Sequence, residues 1–327
     1  MKMKKELRWA VLGTGVIANE MAQALTAMGK PLYAVGNRTL GKALAFAEKH
    51  QVRKVYRDFH EMFWDPLVDI IYITTPHNTH IDFLRTALKN GKHVLCEKSI
   101  TLNSNELREA VTLAENHDVI LAEAMTIWHM PLYQKLWNMV KSGTLGKVQM
   151  LQLNFGSLKE YNMNSRFFNL QLAGGALLDI GVYALSLVRS FMDSQPEDIL
   201  SQVKLASTGV DEQAGILLMN REEQMATISL SLHSKQPKRA VISCERAYIE
   251  IMEYPRADKA VIVDAETGKR QEITEGKTAH ALQYEIMDME KAVLNHSVDS
   301  MHLAETIDVM EIMTKLRRDW GLQYPDE

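Results

Sequence analysis

The stretch Leu7-Arg8-Trp9-Ala10-Val11-Leu12-Gly13-Thr14-Gly15-Val16-Ile17-Ala18 decides the fold. A short apolar run with one charge stops at two glycines, and residues 17–27 follow at helical spacing, with Ala, Met and Leu recurring on one face. The pattern predicts a strand, a tight turn and a helix. In that setting Gly13 permits the turn, Gly15 lets the backbone approach an anion, and Ala18, the third small residue, lets the helix pack on the strand. The turn from Thr14 through Val16 and Ile17 then presents backbone N–H groups, and the helix N-terminus favours the pyrophosphate of a dinucleotide. Glycines alone are a weak signal; their place between a strand and a helix gives them meaning.

Outward from this motif the same alternation continues. Strands are predicted at 32–35, 68–73, 93–96 and 119–121, and helices at 40–50, 80–90 and 103–117. The near-continuous β-branched run at 68–73 marks a strand covered on both faces. Strict βαβ alternation implies a doubly wound parallel sheet of the Rossmann type. From about residue 123 the texture changes. A helix at 131–142 precedes alternating apolar and polar stretches at 148–155, 201–205, 215–219, 225–233, 240–243, 248–252 and 259–264. A strongly apolar helix is predicted at 175–192 and two more at 280–295 and 302–320. The expected organisation is therefore α/β: residues 1–122 as a dinucleotide-binding domain, and residues 123–327 as an α+β domain with a largely antiparallel open sheet.

Composition narrows the functions. Hydrophobic residues make up 46% of the 327 and charged residues 24%, ordinary for a globular chain, with a formal net charge of −4. That balance argues against nucleic acid or an anionic membrane as the main partner. No secretory leader, bilayer-spanning segment, fixed-period repeat or metal-ligand cluster is read. The two cysteines, Cys96 and Cys244, imply no disulfide framework, so a cytoplasmic setting is expected.

The end of the second strand should meet the adenosine ribose. It reads Gly36-Asn37-Arg38-Thr39, with Lys42 one turn on and no carboxylate to hold ribose hydroxyls. Arg38, aided by Asn37, Thr39 and Lys42, suits a 2′-phosphate, which favours NADP and leaves NAD possible. Thr75-Pro76-His77-Asn78-Thr79-His80 follows the next buried strand, where ligand-lining loops sit; His80 reads as packing near the cofactor. Glu97-Lys98 ends the following strand, and Lys98 can serve a nicotinamide ribose and a substrate hydroxyl or simply pair with Glu97. Asp179 stands in an otherwise apolar helix and needs a partner or a function. Tyr183 lies four residues on, on the same helical face.

Together these motifs resemble the glucose-fructose oxidoreductase/inositol dehydrogenase (Gfo/Idh/MocA) family, in order and spacing, over essentially the whole chain. Arg166-Phe167-Phe168-Asn169 and the ending Trp320-Gly321-Leu322-Gln323-Tyr324-Pro325 resemble the branch with dimeric dihydrodiol dehydrogenases. The resemblance implies that Lys98 is the catalytic or substrate-positioning cation, and that Asp179 and Tyr183 fill the motif's acid and His/Tyr positions. It also implies an oligomer, a homodimer or homotetramer, built through the C-terminal sheet. Two departures stand out. Ser99 replaces the proline that usually follows the Glu-Lys pair, and Trp128 occupies a position where an arginine is expected, as a stacking wall for a sugar or as core. The expected activity is an NADP-preferring oxidoreductase acting on a sugar, polyol, dihydrodiol or related hydroxy/carbonyl compound, with Arg166, Trp128 and Lys98 near the substrate. The alternatives are a non-catalytic dinucleotide sensor and an NAD-using glycosidase on the same fold.

Overall fold

Apolar runs flanked by amphipathic helices fold as the alternation demands. The computed structural model describes residues 6–325 and 327. The chain divides into two units: Met1–Thr101, Asn105–Ala124 and Leu282–Leu303 form the first, and Leu102–Ser104, Met125–Ala281 and Ala304–Glu327 the second.

In the first unit β1 (Trp9–Leu12), α1 (Val16–Ala27), β2 (Ala34–Gly36), α2 (Leu40–His50), β3 (Lys54–Val55), α3 (Glu61–Trp64), β4 (Ile70–Ile73), α4 (His80–Lys89), β5 (His93–Glu97), α5 (Ser104–Asn116) and β6 (Leu121–Ala124) succeed one another. Their strands make one parallel sheet in the order β3-β2-β1-β4-β5-β6. β1 and β4 are buried at every position, as strands covered on both faces must be. The short β3 carries too little apolar pattern to be read from sequence.

The second unit contains α6 (Pro131–Lys141), β7 (Val148–Gly156), α7 (Val182–Phe191) and the strands β8 (Asp198–Leu205), β9 (Asp211–Met219), β10 (Met225–Ser231), β11 (Gln236–Cys244), β12 (Ala247–Met252), β13 (Lys259–Asp264) and β14 (Arg270–Thr274). The eight strands form a sheet in the order β14-β13-β12-β11-β7-β10-β9-β8, antiparallel except for the parallel pair β7–β10. β14 has one buried residue in five, so its sequence shows no alternation to read.

Two differences from expectation have physical causes. The first is α8 (Ala281–Asn295), which precedes α9 (Leu303–Asp319). The split at 122/123 places it with the C-terminal domain, whereas Leu282–Leu303 belongs to the first unit. Leu282, Ile286, Met289 and Val293 enter the core that holds Trp9, Val11, Met21 and Leu25. Each such burial contributes about 1.5–3 kcal/mol. The Trp9 indole donates to Glu290 at 3.1 Å, and Lys30 pairs with the same carboxylate. An apolar stripe announces a helix but not which sheet it covers.

The second concerns the helix read at 175–192. It opens as a π-helical turn, Leu177–Gly181, before becoming the α-helical α7. By length and composition residues 170–191 are apolar enough to cross a bilayer, which corrects the reading that no segment is. Yet 83% of the most apolar window is buried within the protein. It is a core element of the second unit.

Candidate active site

In the first unit the residues singled out by sequence gather at the carboxyl ends of adjacent strands. Gly13 (φ +111) follows β1, and an added Cβ there would lie 2.3 Å from the hydroxyl of Thr74, which follows β4. Only glycine permits that approach. Around Gly15 an added Cβ would meet nothing within 4 Å, and Val16 is 80% exposed. Helix α1 starts at Gly15 without a side-chain cap and without an acid in its first turn. Open backbone at an uncapped helix N-terminus fits a dinucleotide's pyrophosphate. Thr14 is tied to Asn37, whose Nδ2 donates to its hydroxyl at 2.8 Å while Oδ1 accepts from the Thr39 amide at 2.8 Å. Arg38, Thr39 and Lys42 are exposed beside this turn, with Ile17 half-buried in α1. The residues fit the cofactor.

Lys98 follows β5 and is half-buried. Its neighbour Glu97 is held by the hydroxyl of Tyr72 on β4. The backbone around Lys98 is gripped from several sides. His77 Nε2 faces the Lys98 carbonyl at 3.1 Å. His80, fully buried, sets Nδ1 against the Ser99 carbonyl at 3.1 Å and Nε2 against the Thr75 carbonyl at 2.8 Å. Burial pushes the imidazole pKa down, outweighing these carbonyls. His80 thus ties the Thr75-Pro76 turn to the Lys98 loop. The Lys98–Ser99 peptide is cis. Glu123, the one acid in the apolar run through β6, accepts the Ile100 amide at 3.0 Å and is 1% exposed. Sequence reading passed over Glu123, although a lone carboxylate in a buried strand is itself a signal. Cys96 is buried, which raises its thiol pKa and keeps it unreactive.

In the second unit Asp179 lies in the π turn, 9% exposed, with Arg166 Nη2 3.6 Å from its Oδ1. Arg166 is exposed and lies over the Phe167 ring. Tyr183 is the second residue of α7, half-buried, with its ring 6.1 Å from Phe155. The double glycine before Asp179 has two separate causes. At Gly174 an added Cβ would lie 2.7 Å from the Phe167 carbonyl and 2.8 Å from that of Arg166. At Gly175 (φ +125) it would lie 2.1 Å from Oδ1 of Asp211. Asp211 is fully buried and accepts the Leu177 amide at 2.6 Å. Burial raises its pKa to about 7 against the pull of backbone amides and Arg317. The Tyr324 hydroxyl donates to the Gly174 carbonyl at 2.7 Å, beneath the guanidinium of Arg317, which pairs with Glu327 at 2.6 Å. The terminal motif read from sequence therefore braces the glycine turn. Trp128 is 1% exposed and packs beside Trp137 in the interior. Among the described residues no group of three or more His, Cys, Asp or Glu could hold a metal ion.

A parallel sheet whose first glycine turn lies open to a pyrophosphate, with a lysine at a neighbouring strand end, defines the class: an oxidoreductase that works with a nicotinamide dinucleotide. Residues 7–125 match the family model described as an oxidoreductase family with an NAD-binding Rossmann fold, and residues 133–250 match the GFO/IDH/MocA C-terminal domain. The chain belongs to this family. It is 30% identical over 329 residues to trans-1,2-dihydrobenzene-1,2-diol dehydrogenase of Xenopus laevis, covering 97% of this chain and 99% of that one. The mouse (Mus musculus) enzyme of the same name is 28% identical, covering 98% and 99%. Among solved structures, a 3-ketoreductase from Actinomadura kijaniata, in complex with NADP and TDP-benzene, superimposes with a TM-score of 0.86 at 19% identity, covering 96% and 98%. Levoglucosan dehydrogenase in complex with NADH and levoglucosan gives 0.88 at 16%, covering 97% and 98%.

Proposed function

We propose that the protein is an NADP-preferring dehydrogenase or reductase acting on a hydroxyl or carbonyl carbon of a sugar, polyol or cyclic dihydrodiol. The carrying observation is the gathering, at neighbouring strand ends of the first unit, of the open Gly13–Val16 turn, the acid-free Asn37–Lys42 corner and Lys98. Gly13, Thr14, Gly15, Val16 and Ile17 would hold the pyrophosphate, and Asn37, Arg38, Thr39 and Lys42 the 2′-phosphate. Thr75, Pro76, His77, Asn78, His80 and Glu97 would shape the nicotinamide side. The bound dinucleotide supplies or accepts the hydride. Lys98 or Tyr183 would handle the proton of the substrate hydroxyl, and Asp179 and Arg166 would bind and orient the substrate. The named substrates of the similar proteins, dihydrodiols and levoglucosan, support this class.

The test is NADP(H) turnover against a panel of dihydrodiols, aldoses, ketoses and polyols, with Lys98→Met beside the wild type. Loss of about 10²–10⁴-fold in kcat with unchanged NADPH affinity supports the assignment. An unchanged kcat refutes it. Flat turnover with retained NADPH binding favours a sensor, and release of free sugar without net redox change favours a glycosidase.

We also infer self-association, as a homodimer or homotetramer, through the open face of the eight-stranded sheet. Exposed Leu200 and Leu205 on β8 and Met252 on β12 support it. Sedimentation equilibrium of the wild type and Leu200→Lys measures it. Both thiols are unpaired, in keeping with a cytoplasmic setting.

A further inference from the structure

Two adjacent acids at the start of β9, Asp211 and Glu212, are both fully buried, and neither was read from sequence as part of a site. Successive residues of a strand point to opposite faces. Asp211 reaches the glycine turn before Asp179, as described. Glu212 reaches residues 157–169, the loop that carries Arg166. Tyr161 Oη donates to Glu212 Oε2 at 2.8 Å, and Lys204 Nζ lies 2.5 Å from Oε1. The Tyr161 ring stacks on His233 with centroids 4.1 Å apart, and His233 Nδ1 is 3.9 Å from the same carboxylate. Tyr161 also meets Phe168 edge-on at 5.1 Å, and the Phe168 carbonyl accepts the Thr208 hydroxyl at 2.6 Å. The loop is thus pinned at Tyr161 and Phe168, on either side of Arg166, while the turn is pinned at Leu177, two residues before Asp179.

We propose that Asp211 and Glu212 are the positioning residues of the Arg166–Asp179 pair, Asp211 fixing the turn under Asp179 and Glu212 fixing the loop under Arg166. The inference rests on the reading that this pair orients substrate. Two side chains on neighbouring positions of one rigid strand set the separation of two groups carried by irregular backbone. Loops by themselves hold such geometry poorly, and a displacement of about 1 Å can cost on the order of 10²-fold in rate. Asp211 acts through the Leu177 amide, and Glu212 through Tyr161.

The experiment compares Asp211→Ala and Asp211→Asn with Glu212→Ala and Tyr161→Phe in the full-length protein. Amide hydrogen exchange is followed by mass spectrometry, and kcat and KM are measured on the best substrate of the panel. Asp211→Ala should speed exchange about tenfold within residues 176–183 only and lower kcat about tenfold with KM little changed. Asp211→Asn, which still accepts the Leu177 amide, should restore both. Glu212→Ala and Tyr161→Phe should speed exchange within residues 160–169 only and raise KM about tenfold with kcat within about twofold. Tyr161 is 47% exposed, so Tyr161→Phe reports even if Glu212→Ala does not fold. Exchange that rises throughout the second unit, or stays within about twofold of wild type in both segments, overturns the proposal. Unaltered kinetic constants in variants with locally raised exchange also overturn it. A wild type inactive on the whole panel defeats the oxidoreductase reading instead, and the exchange pattern then decides this inference alone.

Discussion

Replacing Asp211 by asparagine keeps the side-chain shape and the acceptor for the Leu177 amide while removing a buried charge. Burial raises the Asp211 pKa from 3.8 to about 7 in the folded protein. The folded state therefore holds a proton that the unfolded chain releases near pH 4. Between these limits the folded state binds more protons, so stability falls as pH rises, by up to about 1.4 kcal/mol per pH unit. Across the whole interval the loss approaches about 4 kcal/mol, or about 10 °C in Tm for a unit of this size. Asp211→Asn imitates the protonated form and loses nothing. Arg317 and Tyr324 are ionisable neighbours of Asp211, with Glu327 behind Arg317. Arg317 and Tyr324 are both shifted up from values already above this interval, and Glu327 is shifted down, because its bonds to Arg317, Tyr324 and Asn103 outweigh burial. Urea unfolding of both proteins at pH 4.5, 5.5, 6.5 and 7.5, followed by a signal from the second unit, gives the difference directly. The Asn variant should gain steadily on wild type up to about pH 7 and hold that gain above it. A difference that stays level from pH 4.5 to 7.5 refutes the argument that Asp211 carries the cost of burial.

Three further outcomes are expected. Gly175→Ala forces a side chain into φ +125 and places its Cβ 2.1 Å from Asp211 Oδ1, which should destabilise the second unit by about 2–6 kcal/mol in denaturant titration, and Asp211→Ser in the same chain should recover part of that loss. Arg38→Ala should weaken NADPH binding about 10–100-fold by calorimetry and leave NADH binding within about threefold; equal losses for both would refute the 2′-phosphate assignment. Asp65 is held down to about 2, because Lys54, Tyr56 and the Leu67 amide outweigh its burial, so it contributes about 2–3 kcal/mol that is present above pH 4 and lost as pH falls toward 2; Asp65→Asn should flatten the acid limb of the stability profile of the first unit.

Much of the fold was legible because periodicity records burial. β4 announces itself as an apolar run and β7 by alternation, and the Gly13–Ala18 turn sits where such strands and helices require it. β3 and β14 were not legible, since neither buries enough side chain to leave a pattern. α8 was legible as a helix but not as a member of the first unit, because its partners Trp9, Met21 and Leu25 lie more than 250 residues away in sequence. The candidate residues Lys98, Asp179 and Tyr183 stood out through motif and through the cost of an acid among apolar neighbours. Asp211 and Glu212 escaped notice for the opposite reason. They lie side by side at a strand start, where charged residues are unremarkable, and only the tertiary structure shows both to be buried.

The return of α8 to the first sheet bears on how the protein is made. When residue 124 leaves the ribosome every strand of the parallel sheet has been synthesised, yet the face that receives Ile286, Met289 and Val293 is bare. Residues 125–281 come next, and at ordinary elongation rates they take about 10–30 s. For that interval the nascent first unit carries an exposed apolar face, the kind of surface on which aggregation starts. A fragment ending at residue 124 would be trapped in that condition permanently. Supplying residues 282–303, by fusion or as a peptide, is the route to a freestanding nucleotide-binding unit.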